Sequence, residues 1–455
     1  MSTGGRSVRL FGTDGIRGVA NRDLTAELAL RVGRALVATL GRGAYLVGRD
    51  TRLSGPMLEA AIAAGICAGG GDVERAGILP TPAVAFLTRH LGRPGGIVLS
   101  ASHNPIEDNG IKLFGPDGFK FPDEVEERIE AAMGEQRPAP WGRGVGGARD
   151  IPQAEDLYLE YLLDLGLRPP AGLRVVVDCA FGAAYRVAPR LWRALGAEVV
   201  ALHAEADGGR INVGCGSTHP ALLQQAVLAA GAQVGFAHDG DADRVIAVDE
   251  RGEVVDGDAI MAICARYLAA RGALPGGVVV ATVMSNLGLE QFLAGQGIRL
   301  ERTQVGDRYV LERMRQLGAV LGGEQSGHVI FLNRATTGDG LVTALHLAHI
   351  MRESGQPLSA LGAALTRYPQ VLHNVRVADR GAWTEDAEVR AVLAAAEARL
   401  GQRGRILVRP SGTEPLVRVM VEASEAAEAE EVARTVAEVI ARRHGGAAAG
   451  ESHGA

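Results

Sequence analysis

Short apolar runs alternate along the chain with longer segments whose Ala and Leu recur at helical spacing. "AYLVG" (44–48) precedes the helix-like "SGPMLEAAIAAGICAGG" (54–70), and "GIVLS" (96–100) follows the helix-like "TPAVAFLTRHL" (81–91). The pattern restarts beyond a Pro/Gly-rich stretch at 137–147. There "LRVVVDC" (173–179), "YRVAPRLWRALG" (185–196), "EVVALHA" (198–204) and "QVGFAHDGDADRVIAVD" (233–249) follow in order. It restarts again with "GGVVVATV" (276–283), "NLGLEQFLAGQG" (286–297) and "LGAVLGGEQSGHVIF" (317–331). Strands alternating with helices of this length predict α/β units built on mixed, mostly parallel sheets.

From residue 370 the texture changes. "QVLHNVRVA" (370–378), "RGRILVRP" (403–410) and "PLVRVMVEA" (415–423) alternate apolar with polar positions, and charged helices near 384–401 and 424–443 interleave with them. The expected organisation is three α/β domains at 1–150, 151–252 and 253–369, an α+β domain at 370–445, and a disordered tail at 446–455. At 455 residues the chain is too long for one hydrophobic core, since single cores stop growing near ~250–300 residues.

A net charge of −6 with scattered arginines speaks against nucleic acid as a partner. No apolar run reaches the length of a membrane span, so no membrane partner is expected. The cysteines Cys67, Cys179, Cys215 and Cys264 form no CxxC pair, which disfavours sulfur-based metal or redox chemistry. Free thiols suit a reducing compartment, and the expected location is cytoplasmic.

One stretch departs from the packing logic. In "LSASHNPIEDNGIKLFGPDGFK" (99–120) a buried strand breaks into Ser102, His103, Asn104 and Pro105, which cannot pack as core. The same stretch holds Lys112 and Lys120; every other one of the 47 basic residues is arginine. Ser102 is expected exposed at a strand's carboxyl end, where α/β proteins bind ligands. No G-x-S-x-G elbow surrounds it, which disfavours a hydrolase triad.

"HDGDADR" (238–244) sets Asp239, Asp241 and Asp243 two apart, so an extended backbone would put all three carboxylates on one face. Three such groups call for a hard divalent cation with oxygen ligands. An EF-hand is excluded, because Gly240 precedes the second Asp and the strand "VIAVD" follows. "RPSGTEP" (409–415) offers Arg409, Ser411, Gly412 and Thr413, with Arg418 beyond, a set that suits a phosphate, although alone it reads equally as an ordinary Ser/Gly/Pro turn. "GGEQSGH" (322–328) offers Glu324, Ser326 and His328 to a polar ligand, although alone it reads as a turn with a satisfied histidine. Ser102, an acidic metal site and a phosphate loop together favour phosphoryl transfer. Lys112 is then a tunable acid/base or a compact phosphate charge, and Lys120 is more simply a survivor of arginine drift.

These segments, with "FGTDGIRG" (11–18), stand in the order found in the α-D-phosphohexomutases, and the chain resembles that family over residues 11–419. "INVGCGSTHP" (211–220), "TVMSNLGL" (282–289) and "QVGDRYVLERM" (304–314) resemble its aminosugar branch. The resemblance implies three similar α/β domains and a fourth, TATA-box-protein-like α+β domain around a central cleft with one loop from each. It implies a phosphorylated Ser102, one Mg²⁺ held by Asp239, Asp241, Asp243 and the Ser102 phosphate, and Lys112, Arg17 and His328 around the reacting phosphate. Arg244, Glu324 and Ser326 would bind substrate, and Arg409, Ser411, Gly412, Thr413 and Arg418 would clamp its distal phosphate. The implied reaction interconverts glucosamine 6-phosphate and glucosamine 1-phosphate through a 1,6-bisphosphate, on the route to cell-wall precursors. The alternatives are a mutase for glucose or mannose phosphates and a non-catalytic sugar-phosphate binder. Implied partners are sugar phosphates, a kinase or bisphosphate donor that first loads Ser102, and a second copy as homodimer. One departure is Asp307 in "VGDR", where the phosphomannomutase/phosphoglucomutase branch carries histidine; a carboxylate there suits an ammonium-bearing sugar.

Overall fold

Four β-sheets organise the chain in a computed structural model that describes residues 10–135, 138–379, 381–411 and 415–445. Gly412, Thr413 and the expected tail at 446–455 lie outside the described residues. The first sheet comprises β1 (Ile16–Val19), β2 (Ala44–Arg49), β3 (Asp72–Ile78), β4 (Gly96–Leu99), β5 (Asp108–Phe114) and β6 (Ala148–Asp150) in the order β1-β5-β4-β2-β3-β6. The second comprises β7 (Arg174–Asp178), β8 (Glu198–Leu202), β9 (Val234–His238), β10 (Val245–Asp249) and β11 (Val254–Val255) in the order β11-β10-β9-β7-β8. The third is β12 (Val278–Thr282), β13 (Arg299–Thr303), β14 (Leu321–Gly323) and β15 (Val329–Phe331) in the order β13-β12-β14-β15.

The same four-strand unit recurs in all three. Strands β3-β2-β4-β5, β8-β7-β9-β10 and β13-β12-β14-β15 occupy matching places, three parallel strands closed by one antiparallel partner. Each unit therefore ends in a hairpin, and each hairpin loop carries one of the polar motifs: 100–107, 239–244 and 324–328. The repeat is explicit in topology, although residue similarity alone is too weak to reveal it. Strands β4, β9, β10 and β12 are buried along their whole length, as expected of strands covered on both faces. Some helices start at polar caps that supply acceptors. Thr25 accepts the Leu28 N–H at 3.2 Å before helix Ala26–Leu40, and Asp339 accepts the Leu341 and Val342 N–H groups, both at 3.0 Å, before helix Gly340–Ser354.

The fourth sheet is β16 (Gln370–Arg376), β17 (Gly404–Pro410) and β18 (Leu416–Ala423), antiparallel in the order β16-β18-β17. Helices Ala387–Leu400 and Ala426–His444 cover it through a core that includes Val389, Val419 and Val436. By contact the chain forms two units, Met1–Met284 with Gln296–Ala364, and Ser285–Gly295 with Leu365–Ala455. Residues 285–295, inside the expected division at 253–369, pack with the second unit. Helix Leu287–Gly295 is claimed by the second unit because Glu422 accepts the Leu287 N–H at 2.8 Å, Asn286 donates to the Tyr368 carbonyl at 2.9 Å, and Arg405 donates to the Ser285 carbonyl at 2.6 Å.

Two glycines set how closely the loops approach in the first unit. A Cβ on Gly240 would stand 2.6 Å from the Ser102 carbonyl oxygen, and one on Gly182, in the loop after β7, would collide with the Gly240 backbone. Gly182→Ala must push the 239–244 turn away from its support. The expected cost is about 1–3 kcal/mol, read as a lower melting temperature; an unchanged melting temperature would contradict this contact.

Candidate active site

The serine loop is fixed from beneath by a buried ion pair. Arg52 and Asp50 are both fully buried and meet at 3.0 Å. The Arg52 guanidinium also donates to the carbonyls of Ser102 (3.0 Å), Asn104 (2.7 Å) and Asp108 (2.9 Å) and to that of Pro105. Asp50 accepts from Ser100 Oγ at 2.6 Å, and Ser100 Oγ accepts the Ser102 N–H at 2.9 Å. Four carbonyls turned toward one guanidinium account for a tight loop in which Ser102 has a φ of 52°. Such a backbone is uncommon for a residue with a side chain and persists only where its surroundings hold it. Ser102 is not exposed as expected but 1% accessible, and its Oγ donates to Asp239 at 2.5 Å. His103 Nδ1 lies 3.2 Å from the same oxygen. Burial, then the Arg244 and Arg17 charges, lower the His103 pKa to about 4.

The three aspartates converge, but not through an extended backbone. Residues 239–244 form the turn between β9 and β10, and Ala242 adopts a φ of 56°. The turn brings ligand oxygens of Asp239, Asp241 and Asp243 within 4.8 Å of one another, all three residues buried. Asp241 Oδ1 and Asp243 Oδ1 have no hydrogen-bond partner among the described residues. Burial, then Asp243 and Asp241, hold the Asp239 carboxyl well above the usual carboxylate range. A cation coordinated by these oxygens would remove that repulsion and satisfy both orphaned atoms. Hard oxygen donors in this number fit a hard divalent metal.

Lys112 explains why a lysine stands in β5. It is 1% exposed, and its Nζ lies 2.8 Å from Asp241, 3.3 Å from Asp243 and 3.3 Å from Asp14. A compact ammonium has three donors for three carboxylates, whereas a planar guanidinium is a wider fork. Burial would lower its pKa, but Asp14, Asp241 and Asp243 outweigh burial and hold it well above the ordinary value. Of the two expected roles, these carboxylates favour the compact charge over a lysine tuned toward neutrality. Asp243 is the counterpart. Burial raises it, but Lys112, His328 and Arg244 hold it well below the usual range.

Lys120, read from sequence as a survivor of drift, has specific long-range partners. The chain turns at 115–119, Lys120 bridges back to Phe114, and its Nζ meets Asp14 and, at 2.5 Å, Asp307. Asp14, inside "FGTDGIRG", is the residue that sequence reasoning missed. Its carboxylate receives Arg17, Lys112 and Lys120 together. Arg17 also donates to Asn104 Oδ1 at 2.8 Å. Arg52 and Asp50 were missed too. The only available signal was charge in "GRDTR" beside an apolar strand, which a surface turn would share.

A cavity of about 450 Å³ opens beside these groups, lined among others by Asp14, Arg17, His103, Asp243, Arg244, Asp307, Glu324 and His328. Glu324 accepts the Gly306 N–H and the Ser326 hydroxyl, each at 3.2 Å. His328 Nε2 accepts the Gly338 N–H at 3.2 Å, which leaves the ring proton on Nδ1, 3.7 Å from Asp243. The first unit thus gathers Arg17, Ser102, Lys112, the three aspartates, Arg244, Glu324, Ser326 and His328. Arg409, Ser411 and Arg418 belong to the second unit. There β17 and β18 place Arg409 opposite Arg418 in register. Burial, then Arg418, lower the Arg409 pKa. Like charges directly opposite each other across strands are unfavourable.

A second cluster, Asp178, His203 and Cys215, is structural. Both Asp178 oxygens are occupied, by the Ala180 and Gly216 N–H groups and His203 Nδ1, all at 2.9 Å. Burial, then Asp178, push the Cys215 thiol up to about 12.

Residues 8–139, 156–252 and 256–368 match alpha/beta/alpha domains I, II and III of the phosphoglucomutase/phosphomannomutase family, and residues 372–439 match its C-terminal domain. The chain is 56% identical over 442 residues to a phosphoglucosamine mutase of Symbiobacterium thermophilum, covering 95% of this chain and 98% of that one. It is 56% identical over 448 residues to a phosphoglucosamine mutase of Frankia casuarinae, with the same coverage of 95% and 98%. Among solved structures, a phosphoglucomutase/phosphomannomutase family protein from Burkholderia thailandensis superposes with a TM-score of 0.80 at 28% identity, over 95% of this chain and 97% of that one.

Two outcomes follow from the geometry. Arg52→Met leaves Asp50 buried without its cation and is expected to cost about 3–5 kcal/mol of stability; Asp50→Asn/Arg52→Met should recover part of it, and a single variant as stable as the parent would contradict the role given to this pair. Asp241→Asn should weaken divalent-cation binding about tenfold or more, measured by calorimetry, because it removes one of three anionic ligands; unchanged affinity in that variant and in the equivalent Asp239 and Asp243 variants would reduce the turn to a structural feature.

Proposed function

Since the chain belongs to the phosphoglucomutase/phosphomannomutase family, we propose that it is a phosphoglucosamine mutase that interconverts glucosamine 6-phosphate and glucosamine 1-phosphate through a phosphorylated Ser102. The observation that carries this reading is the buried Ser102 Oγ set 2.5 Å from the first of three converging aspartates. The metal fitting the aspartate turn is Mg²⁺, with Asp239, Asp241, Asp243 and the Ser102 phosphate as its ligands; when bound it neutralises charge on the transferring phosphoryl group.

The chain's own residues do the rest. A free sugar hydroxyl attacks the phosphorus on Ser102. The new oxygen–phosphorus bond forms as the bond to Ser102 Oγ breaks, and the hydroxyl proton ends on Oγ, where His103 Nδ1 is within reach to hold it. The resulting 1,6-bisphosphate turns over, and its other phosphate returns to Ser102 by the reverse step. Little beyond alignment and charge neutralisation is required of such a transfer. Three aspartates and a phosphoserine of about −1.5 to −2 exceed the charge of one divalent ion, so Lys112, Arg17 and Arg244 supply the remaining positive charge. Glu324 and Ser326 bind sugar hydroxyls, and His328 presents its Nδ1 proton on the reacting side. Arg409 and Arg418, with Ser411, Gly412 and Thr413, are a phosphate-binding set. The first phosphoryl group comes from a kinase or a sugar bisphosphate, and the enzyme works in the cytoplasm.

Side-by-side turnover of glucosamine 1-phosphate and glucose 1-phosphate, for the parent and for Ser102→Ala, tests the reading. The parent should prefer the amino sugar by at least about tenfold in kcat/KM, and Ser102→Ala should lose about four or more orders of magnitude while keeping the parent's melting temperature. Equal turnover of both sugars would shift the assignment to a neutral-hexose mutase, and an active Ser102→Ala would remove the covalent route.

A further inference from the structure

The Lys120 side chain is 8% exposed and does not line the 450 Å³ cavity, whereas the two carboxylates it joins, Asp14 and Asp307, both do. It stands behind them and faces a second cavity of about 330 Å³ on its other side. Its position is set by backbone geometry. The chain leaves β5 at Phe114, turns through Gly118 (φ 80°), and returns so that Lys120 pairs with Phe114. The turn is closed by the Gly115 N–H donated to the Phe119 carbonyl at 2.7 Å. A lysine eight residues after Lys112 thereby reaches the same carboxylate.

The carboxylates come from distant segments. Asp14 precedes β1. One of its oxygens takes Lys120, and the other takes Arg17 and, at 3.3 Å, Lys112. Asp307 opens helix Asp307–Leu317, where one oxygen accepts the Arg308 N–H at 2.8 Å and the other takes Lys120 at 2.5 Å. Without Lys120, Asp14 would keep Arg17 and Lys112, and Asp307 would be left with His328, whose Nε2 lies 3.8 Å away, but nothing would bridge the two carboxylates. Asp14 would also lose the partner on its Oδ1 side and draw harder on Arg17, which now holds Asn104 of the serine loop. A ligand carrying a phosphate would then meet a wall with one cation fewer behind Asp14 and Asp307, and juxtaposed like charges are strongly unfavourable in a partly desolvated site.

We propose that Lys120 is a positioning residue: from behind the cavity wall it holds Asp14 and Asp307 together and cancels their charge, so that the cavity admits an anionic sugar phosphate. This rests on the mutase reading for the identity of the ligand, but its test does not need turnover. The probe is glucose 6-phosphate, which carries the phosphate and no ammonium, titrated by calorimetry into the full-length protein with Mg²⁺ present. Lys120→Met should weaken its Kd about tenfold or more, and Lys120→Met/Asp307→Asn should return it to within about threefold of the parent, because removing one carboxylate restores the balance. In turnover assays on glucosamine 1-phosphate, Lys120→Met should raise KM more than it lowers kcat. Affinity within twofold of the parent in Lys120→Met, or a double variant no better than the single one, would overturn the proposal. If Lys120→Met does not fold, Asp307→Asn decides alone. It should bind glucose 6-phosphate as tightly as the parent or more tightly, and a tenfold loss would overturn the proposal. A parent that binds the probe but isomerises neither sugar phosphate would count against the mutase reading, while the binding ratios still decide the role of Lys120.

Discussion

Three carboxylates on one buried turn are the constraint from which the rest of the first unit follows. Each buried ion carries a desolvation penalty of several kcal/mol unless it is paired. Lys112 answers Asp241 and Asp243 from one side, and Ser102 Oγ meets Asp239 from the other. Asp14 then balances Lys112 and gathers Arg17 and Lys120, and Lys120 passes the chain of charge to Asp307. The site is an alternation of cations and carboxylates in which a change at one member is felt by its neighbours. Coupling of this kind is expected to make single substitutions non-additive.

The scaffold reaches that arrangement by repetition. The same four-strand unit occurs three times, and each copy delivers one loop at the end of its antiparallel hairpin. The first loop supplies the serine, the second the aspartates, and the third Glu324, Ser326 and His328. Rigid buried strands on either side of each loop limit its freedom, which suits chemistry that depends on alignment more than on reactive side chains. Close approach at Gly240 lets the aspartate turn pack on the serine-loop backbone without an intervening side chain, and Gly182 lets the loop after β7 support that turn.

Much of this was legible in the sequence. The alternation of apolar runs with helical segments located the α/β blocks, and the polar insertions after "GIVLS", "VGFAH" and "LGG" located the loops, because such residues cannot pack where a strand's continuation would put them. Three features were not legible. The aspartate period suggested an extended strand, but a six-residue turn with Ala242 at positive φ brings the carboxylates together instead. Lys120 looked accidental because its partners, Asp14 and Asp307, lie 106 and 187 residues away. The Asp50–Arg52 pair was hidden because a buried ion pair and a surface turn are written with the same letters. For Lys120 the missing information was long-range pairing, for the aspartates a local positive-φ turn, and for Asp50 and Arg52 burial beneath the serine loop; periodicity encodes none of these.

The central claim is that Ser102 gives its phosphoryl group to the sugar and takes another back. The most direct measurement is intact-protein mass spectrometry of the Ser102-phosphorylated enzyme during a single mixing with substoichiometric glucosamine 6-phosphate in the presence of Mg²⁺, with the sugar products followed in parallel. The account predicts that protein phosphate falls as glucosamine 1,6-bisphosphate appears, mole for mole, and is regained as glucosamine 1-phosphate accumulates. Isomerisation that proceeds with the phosphate on Ser102 never exchanged, as read with an isotopically labelled phosphoryl group, would contradict it.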